Sequence, residues 1–126
     1  MPQINKPPLY LHPNLMTLSA IATRTLVHHG DVQIEVFARG SGPRIVMIPS
    51  LGRGAADFDE IASRVAAAGY RVLCPEPRGL GASNGPLKNI TLHDYASDVA
   101  TVIAHDGGGP TVVAGHAFGN FVARTT

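Results

Sequence analysis

The pattern of apolar and polar positions predicts strands and helices in a regular order along the chain. Residues 24–29 are largely apolar and β-branched, and residues 32–38 alternate apolar with polar side chains. Two such segments joined by a turn at residues 30–31 predict a hairpin with one wetted face. Three later runs are short and apolar throughout, which is typical of strands covered on both faces. These runs are residues 44–48, 71–74 and 111–114.

Amphipathic segments between these runs predict helices. The first helix opens at Asp57, with Asp57 as its cap and Glu60 reaching back to the cap N–H. A second helix opens at Thr91 with the same capping pattern, completed by Asp94, and a third covers residues 120–124. The apolar face of the first helix consists of Phe58, Ile61, Val65 and Ala68.

Buried strands that alternate with amphipathic helices favour an α/β fold. The predicted order is a β-hairpin followed by β, α, β, α, β, α, so the sheet is parallel after the hairpin, with right-handed crossovers and helices on both faces. Ligands in such sheets bind beyond the carboxyl ends of the strands. The loops where we expect chemistry are therefore residues 49–56, 75–87 and 115–119.

The first residues show no such periodicity. Residues 1–23 contain four prolines, which cannot join a helix or a central strand, so we expect an irregular N-terminal arm. A signal peptide is disfavoured because Lys6 is the only early charge and residues 12–14 interrupt the apolar core. An alternative is that translation starts at Met16.

Composition narrows the class of protein. A chain of 126 residues with 44% hydrophobic and 15% charged residues suits a single globular domain. Ten Lys and Arg against nine Asp and Glu give a net charge of +1, which does not favour binding to nucleic acid or to an anionic membrane. Cys74 is the single cysteine, so neither an internal disulfide nor a cysteine-based metal cluster is expected. We expect no cofactor, no metal and a cytoplasmic location, and the oligomeric state stays open.

Three segments of the chain carry sequence motifs that occur in a fixed order in one fold family. Ile45-Val46-Met47-Ile48-Pro49-Ser50-Leu51-Gly52, running on to Phe58, resembles the third strand and oxyanion loop of the α/β-hydrolase fold family. Residues 71–83 are similar to the D-x-R-G-x-G-x-S stretch that follows the fourth strand in that family, and residues 112–119 resemble its nucleophile elbow. The resemblance covers residues 24–126 and implies the N-terminal part of an α/β-hydrolase sheet.

The resemblance also implies roles for particular residues. Gly115 and Gly119 would be the small residues that flank the sharp strand-to-helix turn, with Ala117 at the nucleophile position. A developing oxyanion would receive hydrogen bonds from the backbone N–H groups of Phe118 and Leu51.

The sequence departs from the family pattern at the apex of the elbow. The apex residue is normally Ser, whereas the methyl group of Ala117 cannot attack a carbonyl. Ala117 is either an engineered substitution, a natural loss of the Ser or the product of a shifted alignment. Pro49-Ser50 stands where His-Gly is usual, and Glu76 stands where Asp is usual.

The other members of the triad follow the elbow in chain order, first the acid and then the histidine. Both would lie beyond Thr126. We therefore expect residues 24–126 to be an incomplete α/β-hydrolase domain, truncated in the helix after the elbow, and we expect this chain alone to be inactive.

Three further residues are candidates for the pocket. Ser50 lies in the oxyanion loop, although a small turn residue that bonds its own backbone is the simpler interpretation. His116 adjoins the apex, and a structural position under the elbow is favoured over the role of a base. Arg53 could hold an anionic substrate at the mouth of the cleft, or it could be a solvated loop residue.

Two functions follow from the resemblance. The first is ancestral hydrolysis of an ester, lactone or similar carbonyl substrate. The second is a pseudoenzyme or receptor of the same fold that binds a small ligand without turnover, which Ala117 favours. A Rossmann-type nucleotide-binding domain is disfavoured, because residues 115–119 do not match G-x-G-x-x-G after a first strand.

Overall fold

Residues 21–126 are described by the computed structural model, and they form five β-strands, three α-helices and one 3₁₀ helix. The strands are β1 (Thr23–His29), β2 (Val32–Arg39), β3 (Arg44–Ile48), β4 (Arg71–Pro75) and β5 (Thr111–Gly115). The α-helices are α1 (Asp59–Ala67), α2 (Leu92–His105) and α3 (Phe118–Thr125), and the 3₁₀ helix is Ala55–Phe58.

The predicted N-terminal arm falls almost entirely outside the described residues. The first described residue is Ile21, and β1 begins at Thr23, the last residue assigned to the arm. The alternative start at Met16 also lies outside this range. The division into an arm and a domain of residues 24–126 stays a prediction.

The five strands form one sheet in the order β1-β2-β4-β3-β5. β1 and β2 are antiparallel, β2 is antiparallel to β4, and β3 is parallel to both β4 and β5. The predicted α/β fold, a hairpin followed by parallel strand–helix–strand units, is confirmed.

Helices cover both faces of this sheet, as predicted. On one face, α2 and α3 pack Val99, Val102 and Val122 against strand residues such as Val46 and Leu73. On the other face, Ala62 and Ala66 of α1 pack against Met47, Val72 and Cys74. Two apolar layers therefore hold the sheet between them.

Two predictions of strand burial are wrong. β2 has no wetted face, because it lies between β1 and β4 and its residues are buried or half-buried on both sides. β5 is not covered on both faces, since Val112 is 62% exposed and Ala114 is also exposed. β5 pairs with β3 alone, and within residues 21–126 no helix packs over the face that carries these two side chains.

The predicted start of the first helix is also wrong. Asp57 lies inside the 3₁₀ helix, α1 begins at Asp59, and the residue that precedes each helix makes no side-chain capping hydrogen bond. The Asp57 carboxylate accepts hydrogen bonds from Arg53 instead. The buried face of α1 carries Ala62 and Ala66, whereas Ile61 is 53% exposed.

The predicted cap of the second helix is confirmed. The Thr91 hydroxyl accepts a hydrogen bond from the Asp94 N–H at 3.2 Å. The Asp94 carboxylate in turn accepts from the Thr91 N–H at 2.8 Å. This reciprocal pair satisfies backbone donors that the first turn of α2 leaves without a partner.

A charged cluster lies at the end of the sheet where β3 and β4 begin. Arg44 and Arg71 each bond the Asp106 carboxylate at 2.8 Å, which ties the end of α2 to both strands. Burial alone would raise the pKa of Asp106, but the hydrogen bonds and charges of Arg71 and Arg44 hold this pKa below its ordinary value.

We expect Thr91→Ala to lower the free energy of unfolding by about 1 kcal/mol, because the substitution removes a helix cap. Urea denaturation followed by circular dichroism measures this change. The matched control is Thr101→Ala in the middle of α2, where the hydroxyl bonds only the Ser97 carbonyl of its own helix. We expect no loss for the control, since alanine is the better helix former. Equal losses in the two variants would contradict the assignment.

We expect the Asp106 cluster to make stability depend on pH. Because the pKa of Asp106 is lower in the folded protein, its stabilisation is complete above about pH 5 and is lost as the pH falls through the folded value. Asp106→Asn should lower the free energy of unfolding by about 2 kcal/mol at pH 7. It should also flatten the decline of this free energy below pH 5. An unchanged acid slope, measured by denaturant melts from pH 7 to pH 3, would refute this expectation.

Candidate functional site

The strand order itself points to one end of the sheet. From β3 the chain crosses through α1 to β4 on one side, and from β4 it crosses through α2 to β5 on the other side of β3. Connections that leave in opposite directions create a crevice outside the carboxyl ends of the strands where the order reverses. The loops that follow β3 and β5 border this crevice.

The turn from β5 into α3 has an unusual backbone. Ala117 adopts φ 53° and ψ −116°, in the region that residues with a β-carbon rarely enter. Such a conformation costs about 1–3 kcal/mol and persists only where the surroundings impose it. The Ala117 side chain is exposed at the apex of this turn.

Around Ala117, the backbone approaches other backbone atoms closely at two positions, Gly115 and Gly119. A β-carbon on Gly115 would lie 2.0 Å from the Gly119 carbonyl oxygen, and one on Gly119 would lie 2.3 Å from the Ile48 carbonyl oxygen. Neither position can hold a side chain. The Gly115 and Gly119 singled out in the sequence therefore permit the sharp turn and press α3 against the end of β3.

The loop after β3 begins with a tight turn. The Arg53 N–H donates to the Ser50 carbonyl at 3.0 Å, and Gly52 has φ 75°. These are the features of a type II β-turn with Leu51 and Gly52 at its centre. The Leu51 side chain is 64% exposed, so the turn contributes mainly backbone to its surroundings.

A cleft of about 290 Å³ lies between these loops. Ser50, Leu51 and Phe118 line it, as do Glu76 and Arg78 from the loop after β4. Within residues 21–126, neither the Leu51 nor the Phe118 backbone N–H makes a hydrogen bond. The apolar walls of the cleft come from Ile34, Leu80, Leu87, Tyr95, Val99 and Val122.

The aromatic pair at the cleft wall fixes one of these residues. The rings of Tyr95 and Phe118 meet edge to face, with centroids 5.6 Å apart and planes at 84°. This arrangement is favourable for two aromatic rings. It joins α2 to the first residue of α3 and holds the Phe118 backbone in place.

Two predicted pocket residues lie away from the cleft lining. Arg53 forms a bidentate, exposed ion pair with Asp57, with both contacts at 2.8 Å. Those hydrogen bonds lower the pKa of Asp57, and the positive charge of Arg53 adds to the effect. The His116 side chain is exposed, while its N–H bonds the Ile48 carbonyl. Of the three pocket candidates, the structure brings only Ser50 to the cleft.

Cys74 is a core residue. It is 0% exposed at the end of β4 and packs beneath α1. Burial raises the pKa of its thiol to about 11, so the thiolate form is scarce at neutral pH. Cys74 is therefore unsuited to act as a nucleophile.

Sequence reasoning missed an ion pair in the cleft. Arg78 donates to both carboxylate oxygens of Asp98 at 3.0 and 2.8 Å, and the two side chains are only 8% and 10% exposed. Hydrogen bonding to Asp98 raises the pKa of Arg78. The signal was present, because Asp98 interrupts the apolar stripe of α2, and a buried carboxylate requires a partner.

The loop after β4 is tied down by two further polar residues. The Glu35 carboxylate accepts hydrogen bonds from the Ala82 N–H at 2.9 Å and from Arg24. These two contacts lower the pKa of Glu35. The Ser83 hydroxyl accepts from the Glu35 N–H at 2.8 Å and donates to the Glu76 carbonyl at 2.7 Å. This wall of the cleft is thus anchored to β2.

Two other features are absent from the described residues. No group of three or more His, Cys, Asp or Glu side chains is placed to hold a metal ion in the described part of the chain. No helix between residues 21 and 126 is long and apolar enough to cross a membrane.

Comparison with known proteins is consistent with this geometry. The sequence profile of the alpha/beta hydrolase family matches residues 45–125, which include the loops after β3, β4 and β5. A relative from Mesorhizobium japonicum, 2-(acetamidomethylene)succinate hydrolase, is 27% identical over 90 residues, or 71% of this chain and 32% of the relative.

Solved structures share the fold. An epoxide hydrolase from an endophytic Streptomyces superposes with a TM-score of 0.76 and 24% identity over 82% of this chain and 32% of its own. An epoxide hydrolase from Vigna radiata gives a TM-score of 0.75 at 20% identity, with 80% of this chain and 32% of its own covered.

The chain spans about a third of the length of these relatives. The family profile matches well over half of the 126 residues of this chain, and the matched part includes the loops after β3, β4 and β5 that border the cleft. The chain therefore belongs to the alpha/beta hydrolase family.

Proposed function

We propose that this chain supplies the carbonyl-binding part of a hydrolase site and that Ala117 stands at the position of the nucleophile. The observation that carries this proposal is that Leu51 and Phe118 both line one apolar cleft, and that their backbone N–H groups have no hydrogen-bond partner among residues 21–126. Unpaired donors beside an apolar cleft suit an oxygen atom that gains negative charge.

In this proposal the substrate carbonyl oxygen accepts hydrogen bonds from the Leu51 and Phe118 N–H groups. Phe118 is the first residue of α3, where the helix dipole also favours negative charge. The apolar walls receive the rest of the substrate. An ester, lactone or similar carbonyl compound fits this division between two polar contacts and an apolar cleft.

The methyl group of Ala117 cannot form a bond to the carbonyl carbon, so the chain binds the carbonyl and does not attack it. In the family pattern the acid and the histidine follow the elbow in chain order. We therefore propose that residues 1–126 alone produce no turnover. Hydrolysis of a carbonyl substrate is proposed as the ancestral activity of this site, from a form with a nucleophile at position 117.

The second candidate is a pseudoenzyme or receptor that binds a small carbonyl ligand in the same cleft without turnover. Ala117 at the apex favours this candidate. The two functions share the cleft and differ in whether the N–H groups stabilise a developing oxyanion. No nucleic-acid or membrane partner is proposed, and a cytoplasmic location stays a prediction.

A thiol placed at the apex tests the proposal. In Ala117→Cys, the thiolate attacks the carbonyl carbon of p-nitrophenyl acetate, a thioester forms and p-nitrophenolate leaves. Removal of the Leu51 N–H by Leu51→Pro should slow this acylation about a hundredfold, because one oxyanion donor is lost. Proline is well tolerated at the second position of a type II turn, so the loop keeps its shape.

Three controls accompany this experiment. Leu51→Ala keeps the N–H and removes the exposed side chain, and it should acylate at the rate of Ala117→Cys. The unaltered chain should show no fast acylation, because its only thiol, Cys74, is buried. Alkylation by iodoacetamide, which develops no oxyanion, should proceed equally with Leu51 or Pro at position 51. Equal acylation rates with Leu51 and with Pro would reject an oxyanion-binding role and leave the binding-only candidate.

A further inference from the structure

Glu76 makes a contact that bridges two walls of the cleft. It follows β4 directly, and its Oε1 accepts a hydrogen bond from the Ala55 N–H at 2.8 Å. Ala55 is 1% exposed and is the first residue of the 3₁₀ helix after β3. A buried N–H at this place has no other acceptor within residues 21–126, so the Glu76 carboxylate is what satisfies it.

The backbone of Glu76 is itself held on both sides. Its N–H donates to the Glu35 carbonyl at 2.8 Å, and its carbonyl accepts from the Ser83 hydroxyl at 2.7 Å. The carboxylate therefore projects from a fixed point at the end of the sheet. Its position does not depend on the loop that it contacts.

The hydrogen bond between Glu76 and the Ala55 N–H also depends on the glycine that precedes Ala55. A β-carbon on Gly54 would lie 2.8 Å from the Glu76 Oε1, so a side chain at position 54 would displace the carboxylate. The glycine leaves room for the oxygen to reach the Ala55 N–H. The loop is thus fixed at Ala55 as well as at the end of β3.

Leu51 lies between these two fixed points. The turn at Ser50–Arg53 occupies the first half of the span, and Ala55 closes it two residues after the turn. A loop this short cannot shift at one end without moving its centre. The contact at Ala55 therefore sets where the Leu51 N–H lies relative to Phe118.

We propose that Glu76 is a positioning residue, which acts through the Ala55 N–H to hold the Leu51 N–H at the cleft. This inference rests on the proposed function, in which that N–H binds the carbonyl oxygen.

The experiment compares acylation and alkylation of the Ala117→Cys chain with substitutions at Glu76. Glu76→Met keeps the length of the side chain and removes the acceptor, and it should slow acylation by p-nitrophenyl acetate about tenfold. Glu76→Gln keeps an oxygen that can accept from the Ala55 N–H, and it should restore most of the rate.

Loss of the Glu76 charge would change the acylation rate in the direction opposite to loss of positioning. Loss of a carboxylate near the cleft favours both the thiolate and the oxyanion, so electrostatics alone would make Glu76→Met faster. The iodoacetamide rate of each variant corrects for its thiolate fraction and for access. Glu60→Met, at an 82% exposed position on α1, is the matched control and should leave both rates unchanged.

A double-mutant cycle separates positioning from general support of the fold. If Glu76 acts through the Leu51 N–H, Glu76→Met should have little effect once Leu51→Pro has removed that group. Additive effects, or equal slowing of acylation and alkylation, would overturn the inference. Slower acylation with Leu51→Pro and an unchanged rate with Glu76→Met would also overturn it while the proposed function stands. No effect of Leu51→Pro would reject the proposed function itself.

Discussion

The site depends on one steric constraint, which is the direct contact of backbone with backbone where β3, β5 and α3 meet. At Gly115 and Gly119 the missing side chains bring carbonyl groups to distances at which no β-carbon fits. This closeness forces the chain to reverse within a few residues, and Ala117 takes up the resulting strain as a positive φ. The same closeness brings the first N–H of α3 beside the loop after β3. The cleft is therefore a consequence of how tightly three elements pack at one end of the sheet.

Polar side chains extend this order into the loops, where the backbone pairs with a strand at few positions. Glu76 satisfies the Ala55 N–H, and Glu35 satisfies the Ala82 N–H. Arg78 is held by Asp98 and in turn donates to the Pro86 carbonyl. Carboxylates and a guanidinium thus replace the hydrogen-bond ladder beyond the strand ends. Buried charged groups need such partners, so each contact fixes both the side chain and the loop that it bonds.

Local sequence patterns predicted the elements, their order and the capping box of α2, because these depend on residues close together in the chain. The same patterns failed for α1, where small alanines face the sheet and Ile61 faces outward. They also failed for Val112, whose burial depends on what lies beside β5 and not on its own strand. The motifs singled out Leu51, Phe118 and the two glycines, and the roles assigned to them stay predictions. They did not reveal Glu76 as a bridge, because its partner lies 21 residues earlier in the chain.

The unusual backbone at Ala117 has a consequence on the evolutionary scale. The conformational cost at this position comes from the presence of a β-carbon, and alanine, serine and cysteine all carry one. The glycine contacts that impose the turn do not involve the side chain at position 117. Alanine and serine codons differ by a single base. If position 117 has the role proposed above, a lineage with this fold gains or loses its nucleophile in one step, while the scaffold around it stays unchanged.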